Sequence, residues 1–199
     1  VTIYALQVGA FSDESNAKKI AQDVKNRGGA GFISYDGSLY RVLIAGYTSE
    51  NDAKSVKADL EKQNISTTIF KLESGALEFK IGAEKQQIEA LKACFGIVPA
   101  IVSELQQIIF DADRGNNVDE RITALKAKAD EVNANLKAAV STESTSMASL
   151  IEYMDSLCDK LGAIPKSAEV SGVAFSSELK YNLISVVVDY AAFFKKLSS

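Results

Sequence analysis

Apolar and polar residues alternate with a period of two from Thr2 to Phe11, give way to a polar helical spacing, and do the same again 36 positions later. Leu6-Gln7-Val8-Gly9-Ala10-Phe11 is echoed by Val42-Leu43-Ile44-Ala45-Gly46-Tyr47, and Ala17 in the polar stretch that follows is echoed by Ala53. Each copy predicts a strand, an aromatic corner and a helix. A second strand follows in each, with Ile33 in Gly31 to Tyr35 and Ile69 in Thr67 to Lys71, so the order is β-α-β-β-α-β. Strand alternation points Leu6, Val8, Val42, Ile44, Ile33 and Ile69 at the two helices. The helices answer with Ala17, Ile20, Ala21 and Val24 in one and Ala53, Val56 and Leu60 in the other. The opposite sheet face then carries Ala5, Gln7, Gly9, Arg41, Leu43, Ala45, Phe32 and Phe70. Ser12 or Asp13 and Ser49 are the expected helix caps, Gly28-Gly29 the stop of the first helix, and Asp36-Gly37 the hairpin turn.

Beyond residue 82 the apolar period lengthens to about 3.6, the spacing of amphipathic helices. Ile88, Leu91, Phe95, Val98, Val102, Leu105 and Ile109 mark a first helix from Glu84 to Asp111, which Pro99 is expected to kink or divide. Ile122 to Val140, Ser146 to Leu161 and about Ser177 to Leu197 mark three more, the last with Leu179, Leu183, Val186, Val187, Tyr190 and Phe194 inward. Short polar connections join these into an antiparallel bundle. The fold class expected is therefore α+β, a ferredoxin/RNP-like βαββαβ sheet domain over 1–75 and an all-α bundle of about four helices over 83–199. Between them, in 76–82, Leu77, Phe79 and Ile81 alternate with Glu78 and Lys80, a connector or an extra strand.

Charge and composition narrow the chemistry. Residues 1 to 75 carry nine Lys/Arg and nine Asp/Glu, and the whole chain has a net charge of −4, so neither half presents a basic field for nucleic acid. Residue by residue, no apolar run approaches the length of about 20 needed to cross a membrane, and no signal peptide is visible. The chain opens at Val1 on the edge of a strand, which reads as a processed piece whose anchor, if any, lies upstream. There is no histidine, which removes the commonest general base and zinc ligand together with every Ser-His-Asp and Cys-His arrangement. Carboxylates sit beside lysines on polar helix faces and read as solvated surface rather than a glycosidase pair. Gly28-Gly29-Ala30-Gly31 leaves a helix and enters a strand, the reverse of a phosphate loop. Cys94 and Cys158 are too few for a metal cluster and read as buried thiols, a disulfide between two bundle helices being the alternative. No cofactor and no catalysis are expected. What remains is the sheet face, where the Gln7 amide, the Arg41 guanidinium and the Phe32 and Phe70 rings converge over small residues. Such a surface suits a sugar chain, because rings lie against pyranose C–H faces while amide and guanidinium donate to hydroxyls and N-acetyl carbonyls.

Tyr4-Ala5-Leu6-Gln7-Val8-Gly9-Ala10-Phe11 with Asn16-Ala17, and Leu39-Tyr40-Arg41-Val42-Leu43-Ile44-Ala45-Gly46-Tyr47 with Asp52-Ala53, resemble the SPOR domain of bacterial cell-envelope proteins over about residues 2–73. The resemblance implies non-catalytic binding of peptidoglycan, in particular glycan strands denuded of stem peptides, at division septa or sporulation membranes. It implies a ligand on the sheet face, with Gln7 and Arg41 at motif positions and an aromatic role for Phe32, Tyr35 or Phe70. Ala45-Gly46-Tyr47 departs from the Gly-Pro-Phe common in that family. The location implied is the extracytoplasmic envelope, with membrane attachment only through an upstream anchor. The helical half resembles no family, and positioning or contact with envelope or division proteins is the role expected of it. Two other readings stand beside this one. The βαββαβ order also serves RNA or single-stranded DNA on stacking aromatics, although the Lys/Arg-Gly-Phe-Gly-Phe signature is absent. Alternatively the chain is a protein-interaction scaffold whose sheet face is covered by the 77–81 strand or by the helical half.

Overall fold

In the computed structural model, residues 1–75, 84–140 and 144–197 are described. The elements are β1 (Thr2–Phe11), α1 (Glu14–Lys25), β2 (Phe32–Tyr35), β3 (Tyr40–Tyr47), α2 (Glu50–Lys62) and β4 (Thr68–Glu73), followed by α3 (Lys85–Asp113), α4 (Asp119–Ala139), α5 (Thr145–Gly162) and α6 (Gly172–Leu197). The fold is α+β, a βαββαβ unit followed by four helices. The alternating connector over 76–82 lies outside the described residues.

The sheet is antiparallel with strand order β2-β3-β1-β4, so the two halves of the doubled unit meet through their first strands. Asp13 caps α1 by accepting the Asn16 amide at 2.9 Å, and Ser49 caps α2 by accepting the Asp52 amide at 3.3 Å. The chain leaves α1 through Gly28 at φ +82°, a left-handed conformation that glycine adopts without strain. Behind the sheet, Ala17, Ala21, Val24 and Val42 form one small core with Val8, Ile33 and Ile44 at its margin. Leu6, Ala45, Tyr47 and Ala53 form a second with Ile44, Val56, Leu60 and Ile69.

Two irregularities change the expected faces. Along the β1 and β3 pair, Leu6 faces Ala45, Gln7 faces Leu43 and Gly9 faces Val42, which leaves Ile44 and Val8 without partners. Each behaves as a bulge, and each reverses the alternation beyond it. Ala45 therefore joins Leu6 on the helix side and Gly46 takes its place on the other face. Gly9 likewise pairs with helix-side Val42, and Ala10 pairs with Arg41. The expectation that Gly9 and Ala45 share a face with Gln7 is corrected by these two extra residues.

The other face is not fully open. Helix α6 crosses it and meets all four strands. Ile3, Ala5, Leu43 and Phe32 are buried there in one continuous core with Ile184 of α6 and the interior of the bundle. Phe32 packs on Tyr181 at 5.1 Å between ring centroids, and Lys25 Nζ lies 4.5 Å over the same Tyr181 ring. Below this contact Lys180 Nζ donates to the Gly28 carbonyl at 3.1 Å and to Asp113 at 3.0 Å, and Ser176 Oγ donates to Asp113 at 2.6 Å. A lysine ammonium on a carbonyl just past the end of α1 also complements that helix's negative end. On the far side Gln106 of α3 accepts the Thr48 amide at 3.1 Å. Burying the large side chains Ile3, Phe32, Leu43 and Ile184 contributes on the order of 5 to 10 kcal/mol as an upper bound, comparable with the whole stability of an ordinary domain.

Within the bundle, α3 packs on α4 and α6, and α5 packs on α4 and α6. Pro99 does not divide α3, which runs unbroken from Lys85 to Asp113. Proline lacks the N–H that would serve the Phe95 carbonyl one turn earlier, and the Tyr190 hydroxyl of α6 donates to that carbonyl instead at 3.4 Å. Phe95, Tyr153, Tyr190, Phe193 and Phe194 pack together around this point. By length and composition α3 is apolar enough to cross a membrane, contrary to the residue-by-residue expectation, and half of that stretch is buried inside the bundle. Both cysteines are free. Burial pushes the Cys94 thiol up to about 11, and burial with the nearby Asp130 carboxylate pushes Cys158 up to about 12, so both are protonated and unreactive at neutral pH.

Two outcomes test this packing. A Cβ on Gly46 stands 2.9 Å from Ile3 Cδ1 and 3.3 Å from Ile184 Cγ1, so Gly46→Val should cost about 1 to 3 kcal/mol in urea melts, whereas Gly37→Ala, with open space at its Cβ, should cost only the strain of its positive φ. Tyr190→Phe should cost about 1 kcal/mol by leaving the Phe95 carbonyl short of a donor, and the same change in a Pro99→Ala background should cost less.

Candidate functional site

Half of the sheet face escapes α6, and the escaping residues lie toward the C-terminal half of β1 and the hairpin of β2 and β3. Ile3, Ala5, Leu43 and Gly46 lie under the helix, while Gln7, Arg41 and Ser34 are half-buried and Ala10 and Thr68 are exposed. Pairing explains the grouping, since Gln7 is opposite Thr68 on one side and Leu43 on the other, and Arg41 is opposite Ala10 and Ser34. These five residues share one face in adjacent rows of four strands.

Arg41 organises the patch. Its Nη1 donates to Gln7 Oε1 at 3.0 Å, and its Nε and Nη2 donate to Asp36 Oδ2 at 2.9 and 2.7 Å. The guanidinium carbon lies 5.0 Å from the centre of the Phe70 ring. Asp36 is itself fixed by the turn, because its Oδ1 accepts the Ser38 and Leu39 amides at 2.9 Å each and the Ser38 hydroxyl at 2.8 Å. These donors, the turn amides first and Arg41 after them, hold the Asp36 carboxyl well below the usual carboxylate range. The hairpin Asp36-Gly37 is therefore more than a connector: it anchors the cation whose fork, ring and neighbouring amide make the patch. With Arg41 side-chain exposure at 23%, the guanidinium has lost most rotamer freedom yet keeps a face to solvent. Asp36 is the residue that sequence reasoning missed, and its signal was an Asx turn five residues before the arginine.

The five candidate residues separate in the structure. Gln7, Arg41 and Phe70 come together as described. Phe32 is only 9% exposed beneath Tyr181, so the expectation of a free ring at that position is corrected. Tyr35 is 56% exposed but pairs with Tyr40, one residue out of phase with Arg41, and therefore belongs to the other face. Its ring stacks on Tyr40 at 4.5 Å between centroids and its hydroxyl donates to the Gly37 carbonyl at 2.8 Å. Tyr35 thus supports the hairpin that holds Asp36. Two cavities open on the helix side of the sheet, one of about 560 Å³ between α1 and α2 over Val8 and Ile44, and one of about 290 Å³ beside Tyr47 and Phe110. Both lie away from Gln7 and Arg41. Among the described residues no cluster of acidic or thiol side chains suited to a metal ion is present.

Comparison with known proteins identifies the unit that carries the patch. Residues 1–71 match the family described as SPOR domain, and the helical half lies outside that match. Among solved structures, the solution structure of the peptidoglycan binding domain of B. subtilis cell wall lytic enzyme CwlC is similar at 22% identity, over 36% of this chain and 90% of that one, with a TM-score of 0.32. No curated protein matches the chain.

The direction of the Asp36 shift fixes the pH behaviour of the patch. A carboxylate held below its ordinary value keeps its partners above that value and loses them only as pH falls through the lowered one. The Asp36 and Arg41 pair should therefore persist unchanged from pH 8 to below pH 4, and the Asp36 carboxyl resonance followed by NMR should titrate below the ordinary aspartate value. A midpoint at the ordinary value of about 3.9 would show that the turn amides do not hold it.

Proposed function

We propose that this chain is a non-catalytic binder of peptidoglycan, built on the SPOR domain of residues 1–71, and that glycan strands denuded of stem peptides are its ligand. The observation that carries the proposal is the Arg41 fork, clamped by Asp36 and Gln7 over the Phe70 ring on the exposed part of the sheet. A pyranose C–H face has a ring and a guanidinium plane to lie on, while hydroxyls and N-acetyl carbonyls meet the Gln7 amide and the free edge of Arg41. Ala10 adds a small step and Ser34 and Thr68 add hydroxyls. Stem peptides would crowd a sugar laid this close to the backbone, which supports denuded strands over intact ones. Residues 1–75 carry the binding face, and 83–199, packed on it through α6, position it or contact other envelope or division proteins. Recruitment to the septum or to sporulation-related envelope follows from where denuded strands are exposed, and it places the binding face on the extracytoplasmic side.

A polyanion is disfavoured by the balanced charge of residues 1–75 and by the patch's having, among the described residues, one cation, itself already paired with Asp36. The decisive measurement is co-sedimentation with purified sacculi before and after amidase treatment, beside RNA of equal length. Binding should rise after amidase treatment and change little between about 50 and 200 mM salt, whereas a nucleic-acid binder making 6 to 10 phosphate contacts would lose orders of magnitude over that range. Gln7→Ala should weaken sacculus binding by on the order of 1 kcal/mol and Arg41→Ala by about 1.5 to 3 kcal/mol, with the melting transition of the bundle unchanged. Retained affinity in both variants, or preferential binding to RNA, would overturn the proposal.

A further inference from the structure

Asn182 to Val187 are buried without interruption, six successive residues of one helix, so α6 is enclosed on every side over that stretch. One side is the bundle and another is the sheet, where a Cβ on Gly46 would sit 3.3 Å from Ile184 Cγ1. Polar ties fix both ends of the crossing. Lys180 and Ser176 bind the Gly28 carbonyl and Asp113 before it, and Lys160 donates to Ser185 Oγ at 2.8 Å while pairing with Asp189 at 2.7 Å beyond it. Lifting α6 would expose Ile3, Leu43, Phe32 and Ile184 together and open the bundle interior as well. The apolar burial lost would be, at its upper bound, comparable with the stability of an ordinary domain, well beyond what one shallow sugar contact returns.

Resting on the glycan reading above, we infer that α6 is a fixed wall of the binding site, which confines the ligand to a one-sided trough along the flank of the helix. Because α6 meets all four strands it crosses them, and the trough it leaves crosses them too. The floor runs from Ser34 through Arg41 and Ala10, past Gln7, to Thr68. A glycan strand follows this line, transverse to the β-strands, and never touches Phe32, Leu43 or Ala5. The helical half is then part of the site rather than a separate module, and it sets the direction in which a strand can lie.

A reversible lock tests this. In Gly46→Cys with Ile184→Cys the two Cβ atoms lie within about 5 Å, close to disulfide reach, and the bridge pins the helix to the sheet. Alkylation and mass analysis score the bridge beside the native Cys94 and Cys158 thiols. With denuded glycan fragments as probe, the oxidised and reduced forms should bind alike. If the helix must lift, the bridged form should lose more than about tenfold and recover on reduction, because apparent affinity scales with the competent fraction. A second variant serves whether or not the bridge forms: Ala10→Trp blocks the trough without touching α6, and should reduce fragment binding more than about tenfold at unchanged melting temperature. Unchanged binding by Ala10→Trp, or loss on locking, overturns the wall. Absence of fragment binding by the unmodified protein would overturn the glycan reading instead.

Discussion

Helix α6 has to satisfy two cores at once, and the remaining structure is arranged around that requirement. Tyr190 and Phe193 pack against Tyr153 and Phe95 in the bundle, while Tyr181 and Ile184 face Phe32 and Gly46 of the sheet. A helix with one apolar stripe would leave either the sheet face or the bundle interior wet. With two, the four-stranded sheet and the four helices share a single continuous hydrophobic cluster. The small residues of β1 and β3, Ala5 and Gly46, are what let the helix approach. In a sheet reserved for a ligand they would be the natural floor of a groove; here half of that floor has been given to the chain's own helix.

The consequence for chemistry is a division of one face by polarity. Where α6 lies, the sheet is Ile3, Ala5, Leu43 and Phe32. Where it does not, the sheet is Gln7, Arg41, Ser34 and Thr68, organised by a carboxylate that the hairpin turn supplies. Charge compensation by Asp36 matters in two ways. It keeps an arginine half-buried without an unpaired charge, and it holds the guanidinium 5.0 Å from the centre of the Phe70 ring. A cation already neutralised makes a poor magnet for polyanions and a good platform for neutral sugars.

The βαββαβ order and the caps at Asp13 and Ser49 were legible because each rests on local patterns repeated in both halves of the doubled unit, and the shared face of Gln7 and Arg41 was legible from strand alternation. The faces of Gly9 and Ala45 were not, since a bulge is one residue of extra chain and leaves the alternation of hydrophobicity intact on either side of it. Val8 and Ile44 look like any inward residue; only the partner strand reveals that they are unpaired. Tyr35 entered only through the family resemblance, and strand register alone, one residue out of phase with Arg41, puts it on the other face. The mutual packing of the two halves had a signal that an amphipathic reading passes over. Leu183-Ile184-Ser185-Val186-Val187-Val188 is apolar almost all round, and an all-round apolar helix must be enclosed on more than one side. Within α3 the reverse holds, as Pro99 predicts an interruption locally and a hydroxyl from another helix removes the need for it.

Such a shared helix also changes what can vary independently. In a modular arrangement, substitutions in the bundle would leave the sheet's open patch alone. Here the line of Tyr181, Ile184 and Val188 spans two helical turns, about 11 Å, against the roughly 14 Å between the first and last of four strands, so one helix face is matched to the width of the sheet. Shifting α6 by a single turn would put Lys180 in the place of Ile184 over Gly46, break its ties to Gly28 and Asp113, and leave a charge facing an apolar floor. Such a mismatch costs more than the sheet contact returns, so the position of the helix, and with it the edge of the open patch beside Gln7, is set by the same residues that close the core.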